Sequence, residues 1–228
     1  MIFYNKMIKI ILPCLALIIL GFFLVYSGII RYYKIKYSTI ENYELLTEYS
    51  KKPKIVNNKV IITINTSINK LDQVDKVIRS ILEQTVRIDN IYLMIPPNSS
   101  GETNITNELK TKYKKLGVHF FPTGKDYGEA TNIVAILLQE KQCDTIIIAL
   151  KDDCIYGDNY IQTLLEESIN SPKCVLQDSA KTGLLLKPEC YGNDCPIMNK
   201  NKDIYTDEWF YDKANNSKII NYSKNRRF

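Results

Sequence analysis

The sequence is poor in the residues that several enzyme classes need for catalysis. It has one histidine, His119, which falls in a predicted strand and is interpreted as a structural side chain. Without a catalytic histidine, a Ser-His-Asp hydrolase is disfavoured. The chain also lacks a glycine-rich Walker loop and a G-x-G-x-x-G motif. These absences argue against P-loop kinases and dinucleotide-dependent oxidoreductases.

A basic nucleic-acid-binding motif and fully paired cysteines are also missing, and the one lysine cluster, at residues 110–115, is interpreted as the solvated face of a helix. The formal net charge is +5, the lysines are scattered among acidic residues, and no basic motif is interleaved with aromatics, so we expect no nucleic-acid partner. Of the six cysteines, Cys14 lies in an apolar segment, which leaves five in the rest of the chain. An odd number cannot pair completely within a monomer. Cys190 and Cys195 are spaced to close a short loop but lack the second pair that a structural zinc site requires.

A long apolar stretch without charge covers residues 10–30. At about 1.5 Å per residue, a helix of this length spans a bilayer. It exceeds the ~7–15 apolar residues usual in a cleavable signal peptide, which is the alternative interpretation. We therefore predict a single-pass signal anchor in a membrane, between a short N-terminal tail (1–9) and a stem (31–58). Basic residues flank both ends, so the positive-inside rule leaves the membrane orientation open.

From residue 59 the sequence alternates between β-branched runs and amphipathic stretches. The predicted strands are residues 60–65, 91–95, 118–121 and 145–150, and the predicted helices are residues 71–84, 106–116, 130–140 and 159–169. This order predicts an α/β domain over residues 59–228, with a mostly parallel sheet flanked by helices. Asp158 or Asn159 is expected to cap the last helix. The alternation weakens after Pro172, where residues 182–186 are a further candidate strand.

Two carboxylates follow the fourth predicted strand directly. The apolar run is continued by Lys151, Asp152 and Asp153, which places these side chains at the carboxyl edge of the sheet. In open α/β folds that edge is where ligands bind. Paired carboxylates are suited to Mg²⁺ or Mn²⁺, which bridge the phosphates of a diphosphate. A polar turn without a ligand is the simpler alternative.

A glycine-containing loop precedes the third predicted helix. It reads KDYGEAT over residues 125–131. Gly128 would let the backbone approach a phosphate, and the N-terminus of the following helix would favour that anion. Asp126 is interpreted as fixing the loop or contacting the ligand, with helix capping as the alternative.

Five short segments, taken in chain order, resemble GT-A-fold glycosyltransferases, specifically compact members akin to the inverting family 2 group. The segments are ITINTSINK (62–70), SILEQT (80–85), Ile95-Pro96, DYGEATN (126–132) and KDDCIY (151–156). The resemblance covers residues 59–222 or so. It implies an enzyme that moves a sugar from a UDP- or GDP-sugar to a hydroxyl of a glycan, protein or lipid acceptor, with inversion at the anomeric carbon.

The resemblance also implies roles for individual residues. Asp153 and Asp152 would bind Mn²⁺ or Mg²⁺. The implied donor-binding residues are Thr66, Lys70, Asp126, Tyr127, Gly128, Thr131, Asn132, Lys151 and Asp152. A displacement at the sugar needs a base for the acceptor hydroxyl, and Asp207-Glu208-Trp209-Phe210 resembles the family's Asp-Asp-x-Trp pattern. We predict Glu208 as this base and Asp207 as the second choice, the alternative being an acidic pair at a helix start.

Three positions depart from the family pattern. Lys151 stands in place of an acidic residue, Asn132 in place of a lysine and Glu129 in place of a proline. A lysine beside Asp152 and Asp153 lowers the expected affinity for a divalent metal, and the metal is dispensable if Lys151 itself approaches the phosphates. The alternatives from other classes are a catalytically degenerate, membrane-tethered binding or scaffold protein and a nucleotidyltransferase on a related sheet.

Overall fold

The structure of the chain is a computed structural model. It describes residues 2–37, 51–97, 106–140, 144–171, 175–188, 217–222 and 225–227. The chain divides into two compact units, Met1–Ser38 and Thr39–Phe228. The predicted catalytic pair, Asp207 and Glu208, lies outside the described residues. Cys190 and Cys195 also lie outside them.

The N-terminal unit consists of two helices. They are α1 (Ile2–Tyr26) and α2 (Ile29–Tyr37), and Gly28 lies between them with a left-handed φ of +71°, a conformation that suits glycine after a helix end. In the described part of this unit no single helix is long and apolar enough to cross a membrane. Ile11–Tyr26 and α2 satisfy that test only as a pair bent by 60°. The predicted single membrane helix over residues 10–30 is therefore not confirmed, because a turn interrupts it.

The second unit is built around one large sheet. Its strands are β1 (Val60–Asn65), β2 (Asn90–Ile95), β3 (Val118–Pro122), β4 (Ile146–Leu150), β5 (Cys154–Ile155), β6 (Val175–Asp178), β7 (Gly183–Leu186), β8 (Ser217–Ile220) and β9 (Arg226–Arg227). Seven of them lie in the order β3-β2-β1-β4-β7-β6-β8, while β5 and β9 form a separate two-stranded sheet. β1 to β4 are mutually parallel, and β7 runs antiparallel to both β4 and β6. The sheet is mostly parallel, as predicted, with one reversed strand.

Helices pack on both faces of this sheet. They are α3 (Leu71–Leu82), α4 (Asn107–Lys114), α5 (Thr131–Gln139) and α6 (Tyr160–Asn170). Successive residues of β1 point to opposite faces, so Ile62 and Ile64 pack with α3 and α6, whereas Ile61 packs with α5. Burial on both faces explains why β1 and β4 are continuous apolar runs in the sequence.

The four strands and four helices predicted between residues 59 and 169 all occur in the predicted order, with bounds shifted by at most two residues. β5, β6, β8 and β9 were not predicted. The prediction that a side chain of Asp158 or Asn159 caps α6 is also wrong. Asn159 occupies the cap position but makes no cap hydrogen bond, because its side-chain oxygen accepts a hydrogen bond from the Tyr222 hydroxyl at 2.6 Å.

Candidate active site

A cavity of about 470 Å³ lies at the carboxyl edge of β1 and β4. The chain passes from β1 outward to β2 and β3 and then returns to β4 on the other side of β1. The strand order therefore reverses between β1 and β4, and such points are where open α/β sheets bind ligands. Of the predicted site residues, those that line the cavity are Thr66, Lys70, Asp126, Gly128, Asn132, Lys151, Asp152 and Asp153.

Asp152 is held by groups that follow β1. Its Oδ2 accepts a hydrogen bond from the Thr66 hydroxyl at 3.1 Å and lies 3.4 Å from the Lys70 ammonium. Its backbone carbonyl accepts from the Gln73 amide at 3.0 Å. These contacts fix the orientation of the carboxylate, and Lys70 forms an ion pair with it.

Asp153 has a different environment. Its Oδ2 lies 3.9 Å from Nε of Arg227, an ion pair made possible because β9 pairs with β5 immediately after Asp153. Its Oδ1 is buried and has no hydrogen-bond partner among the described groups. A buried carboxylate oxygen without a partner costs free energy unless something cationic or protic reaches it. Asp153 is therefore the carboxylate of this cavity with bonding capacity left over, and the Asn65 Oδ1 is a second buried oxygen of the cavity without a described partner.

The glycine loop is tied together by its own side chains. Asp126 accepts hydrogen bonds from the Gly128 backbone N–H at 2.8 Å and from the Thr131 hydroxyl at 3.0 Å. The Tyr127 backbone N–H donates to the Thr131 oxygen at 2.8 Å, and the Asn65 amide donates to the Gly128 carbonyl at 2.9 Å. Gly128 has a φ of +64°, so the loop depends on a residue that tolerates the left-handed region. Asp126 fixes this loop, one of the two roles predicted for it.

Three predicted donor-binding residues differ in how they meet the cavity. Thr131 is fully buried, and neither it nor Tyr127 lines the cavity. The Tyr127 ring packs against the core beside α5, with the Lys125 ammonium 5.2 Å from its centre. Asn132 lines the cavity although it is 4% exposed, and its amide donates to the Thr63 carbonyl at 3.3 Å. The structure thus gives Thr131 and Tyr127 a supporting position.

The opposite rim of the cavity contains residues that the sequence did not single out for binding. The turn between β6 and β7 contributes Lys181, Thr182 and Gly183, and β9 contributes Arg227. Only the basic pair at the C-terminus, Arg226-Arg227, is a visible signal in the sequence, and nothing in its local pattern indicates that β9 reaches this cavity.

Two buried tyrosines join the ends of β4 and β7 below the cavity. The Tyr156 hydroxyl accepts from the Lys151 backbone N–H at 2.9 Å and donates to the Thr182 carbonyl at 2.6 Å. Burial raises the pKa of Tyr156 well above its ordinary value, so this hydroxyl stays protonated. Tyr160 donates to Asp178 at 2.7 Å and packs against Gly183 so closely that a Cβ there would overlap its hydroxyl. The cavity floor is therefore rigidly packed.

This site offers a cation one pair of carboxylates rather than a larger set of ligands. Among the side chains that the structure describes, no three or more His, Cys, Asp or Glu groups converge on a position for a metal ion. Asp152 and Asp153 remain the predicted ligands.

Comparison with known proteins shows which solved structures have a similar fold. No family model and no curated protein matches the sequence. Among solved structures, S. aureus TarS 1-349 superposes with a TM-score of 0.50 at 12% identity, covering 71% of this chain and 58% of that one. The glycosyltransferase GlyE of Streptococcus pneumoniae TIGR4 gives a TM-score of 0.49 at 12% identity, covering 72% and 45%. The fold is of the GT-A type.

The structural similarity covers only part of each matched protein. The chain spans 45% of the length of GlyE and 58% of the length of TarS 1-349, about half of each of these two structures. At 12% identity the likeness concerns the fold alone.

Proposed function

We propose that this chain is a glycosyltransferase that moves a sugar from a nucleotide-diphospho-sugar, of the UDP or GDP type, to an acceptor hydroxyl on a glycan, protein or lipid. One observation carries this proposal. The Gly128 turn and the carboxylates of Asp152 and Asp153 line the same cavity, at the point where the strand order reverses. The GT-A-type fold supports it because the cavity lies at the edge where such sheets bind ligands.

The proposed reaction is a displacement at the anomeric carbon with inversion. The acceptor oxygen forms the new bond to that carbon, while the bond to the β-phosphate oxygen breaks and the nucleoside diphosphate leaves with the electron pair. The acceptor proton passes to a carboxylate base. By resemblance we assign this role to Glu208, with Asp207 as the second choice.

On the donor side, the described residues supply position and charge. Gly128 stands in open space ahead of α5 and has no side chain to keep a phosphate away from the N-terminus of that helix, while Asp126 with Thr131 holds the loop in place. Thr66 and Lys70 fix Asp152, and Lys151 brings a positive charge to the end of β4. Preorganised charges of this kind stabilise a leaving diphosphate without rearrangement during the reaction.

A divalent cation, Mn²⁺ or Mg²⁺, fits this donor set. Mg²⁺ is usually held by one or two carboxylates, with waters and substrate phosphates completing its coordination. Asp153 suits the first of these positions because its buried Oδ1 lacks a described partner, and Asp152 suits the second. When bound, the ion would supply positive charge to the departing diphosphate.

A donor-hydrolysis and transfer screen on the full chain in detergent tests the proposal. UDP- and GDP-sugars are offered with Mn²⁺, and release of the nucleoside diphosphate is measured. We expect turnover that Asp153→Ala and Glu208→Ala reduce by roughly a hundredfold or more. Asp144→Ala, an exposed carboxylate at the other end of β4, is the matched control and should retain turnover. Absence of both binding and turnover for every donor would refute the proposal.

A catalytically degenerate binding protein is the second candidate. It is favoured by the contacts of Asp152, whose Oδ2 is already engaged by Thr66 and Lys70. Such a protein would bind a nucleoside diphosphate or an acceptor without releasing product. Donor binding in calorimetry, together with no product over a long incubation, would favour this candidate over the transferase.

We also propose that the N-terminal unit attaches the chain to a membrane as a single-pass anchor. Its described apolar side chains are largely exposed, including Leu17 at 68% and Phe22 at 73%. Alkaline carbonate extraction of membranes from expressing cells should leave the full chain in the pellet. Arginine at both Leu17 and Leu20 should release it, since each costs about 2.5–3.5 kcal/mol at a membrane centre. Release of the unaltered chain into the carbonate supernatant would contradict the proposed membrane anchor.

A further inference from the structure

The turn between β6 and β7 holds a lysine in an unusual backbone conformation. Lys181 has a φ of +53°, and its backbone N–H donates to the Asp178 carbonyl at 3.0 Å. A non-glycine residue in the left-handed region costs roughly 1–2 kcal/mol and persists only where its surroundings impose it. Such strain at a cavity wall calls for a functional explanation, since an asparagine or glycine would remove it.

A buried carboxylate imposes that conformation. Asp178 is 1% exposed and accepts hydrogen bonds from the Thr182 backbone N–H at 2.8 Å, from the Thr182 hydroxyl and from the Tyr160 hydroxyl. The Asn225 amide donates to the Thr182 hydroxyl at 2.9 Å, which links the turn to the segment leading into β9. The turn is therefore a rigid support, and Lys181 is the charged residue with which it lines the cavity.

Arg227 reaches the same rim from the other end of the chain. β9 pairs with β5 so that Arg227 lies opposite Cys154, next to Asp153. Its Nη2 donates to the Ala180 carbonyl at 3.5 Å, and its Nε lies 3.9 Å from Asp153. The guanidinium thus bridges the turn and the metal-ligand candidate while its side chain remains 56% exposed. A guanidinium has five N–H donors, so these two contacts leave capacity for a further anion.

The charge of the cavity indicates what that anion is. Four cationic residues line it, Lys70, Lys151, Lys181 and Arg227, together with three described carboxylates, of which Asp152 is paired with Lys70 and Asp153 with Arg227. The glycine turn and the Lys181–Arg227 rim face the cavity from different segments. A ligand that carries charge on two adjacent groups can meet both, which describes a diphosphate rather than a single phosphate or a neutral sugar.

We propose that Lys181 and Arg227 form a cationic rim that binds the diphosphate of the donor and of the nucleoside diphosphate product. The assignment rests on the proposed function and deepens it, because it names the half of the phosphate site that lies opposite the glycine turn. In this arrangement Arg227 makes a planar, multiple hydrogen-bond contact to phosphate oxygens and Lys181 acts as a point charge.

Nucleoside diphosphate binding by the full chain tests the rim. UDP and GDP are titrated calorimetrically, with inorganic pyrophosphate as a competitor. We expect Lys181→Asn and Arg227→Gln each to raise the dissociation constant about tenfold and to flatten its dependence on salt. Asparagine tolerates the left-handed backbone of residue 181, so this variant removes charge without adding strain.

Matched substitutions separate charge from fold. Lys110→Asn and Arg87→Gln remove exposed charges away from the cavity and should leave binding unchanged. Lys181→Arg should restore most of the affinity that Lys181→Asn loses. If the unaltered chain binds UDP or GDP and both rim variants bind within twofold of it, the rim is refuted while the glycosyltransferase proposal stands. If the unaltered chain binds no nucleoside diphosphate, both proposals fail.

Discussion

At the scale of single residues, the glycine loop shows how a backbone angle can determine a site. Gly128 has a φ of +64°, and a Cβ built on it would meet nothing within 4 Å. The cost of a side chain there is thus backbone strain alone. We expect Gly128→Ala to lower the free energy of unfolding by about 1–2 kcal/mol. Gly124→Ala, in equally open space and without a positive φ, should lower the free energy of unfolding much less. Urea titration of both variants measures the difference.

Tyr156 leads to a prediction about alkaline pH. Burial raises the folded-state pKa of its hydroxyl above the unfolded value of about 10, so folding favours the protonated form. The resulting stabilisation is fully present below the unfolded pKa and is lost as pH rises beyond it. We expect Tyr156→Phe to cost about 1–3 kcal/mol near neutrality, since Lys151 and Thr182 lose a buried partner, and to flatten the loss of stability above pH ~10.

Unfolding free energies measured across that pH range check the Tyr156 prediction. Tyr26→Phe, which changes an exposed tyrosine of α1, is the control and should leave the curve unaltered. An unchanged alkaline slope in Tyr156→Phe would show that other groups produce it.

The sequence predicted which segments reach the cavity, but it did not predict which partners their side chains bind. A motif such as DYGEATN indicates which segment reaches the sheet edge, and Gly128 and Asp126 do line the cavity. It does not indicate that the Thr131 hydroxyl is consumed inside the loop, since that depends on three-dimensional hydrogen bonds. Lys181 and Arg227 could not be found because the glycine loop and the carboxylates with which they line the cavity are distant from them in sequence.

At the scale of elements, the segment SILEQT acquires a structural reason. Gln84 is fully buried just beyond α3, where its amide donates to the Ser80 and Gly157 carbonyls at 3.0 and 2.5 Å. Its oxygen accepts from the Ile161 backbone N–H at 2.9 Å, which satisfies the first turn of α6. One side chain therefore couples α3 to α6.

Removing this coupling should be costly. We expect Gln84→Ala to lower the free energy of unfolding by about 2–4 kcal/mol, because several buried backbone groups lose their partners and a cavity forms. Gln162→Ala, on the exposed side of α6, should change it by less than about 0.5 kcal/mol. Urea unfolding of both variants checks this, and equal small effects would contradict the structural role of Gln84.

The predictability of the elements follows from the range of the interactions that form them. β1 and β4 were predicted from local apolar runs because burial on both faces requires such runs. β6, β8 and β9 are short, and their pairing partners are set by the whole sheet rather than by local pattern. The turn at Gly28 likewise interrupts a stretch whose hydropathy alone predicted one continuous helix.

At the scale of the whole molecule, separate segments combine their charges at one cavity, and this combination determines how much a metal ion can contribute. Lys70, Lys151, Lys181 and Arg227 already provide positive charge, while Asp153 retains a buried oxygen without a described partner. We therefore expect chelation by EDTA to reduce donor turnover by roughly tenfold or more and Mn²⁺ to restore it. Asp153→Asn should abolish the restoration, since a neutral amide is a weaker ligand, whereas Asp144→Asn should retain it. Undiminished turnover in EDTA would show that the lysines and arginine neutralise the diphosphate unaided, and Asp153 would then serve to orient Arg227.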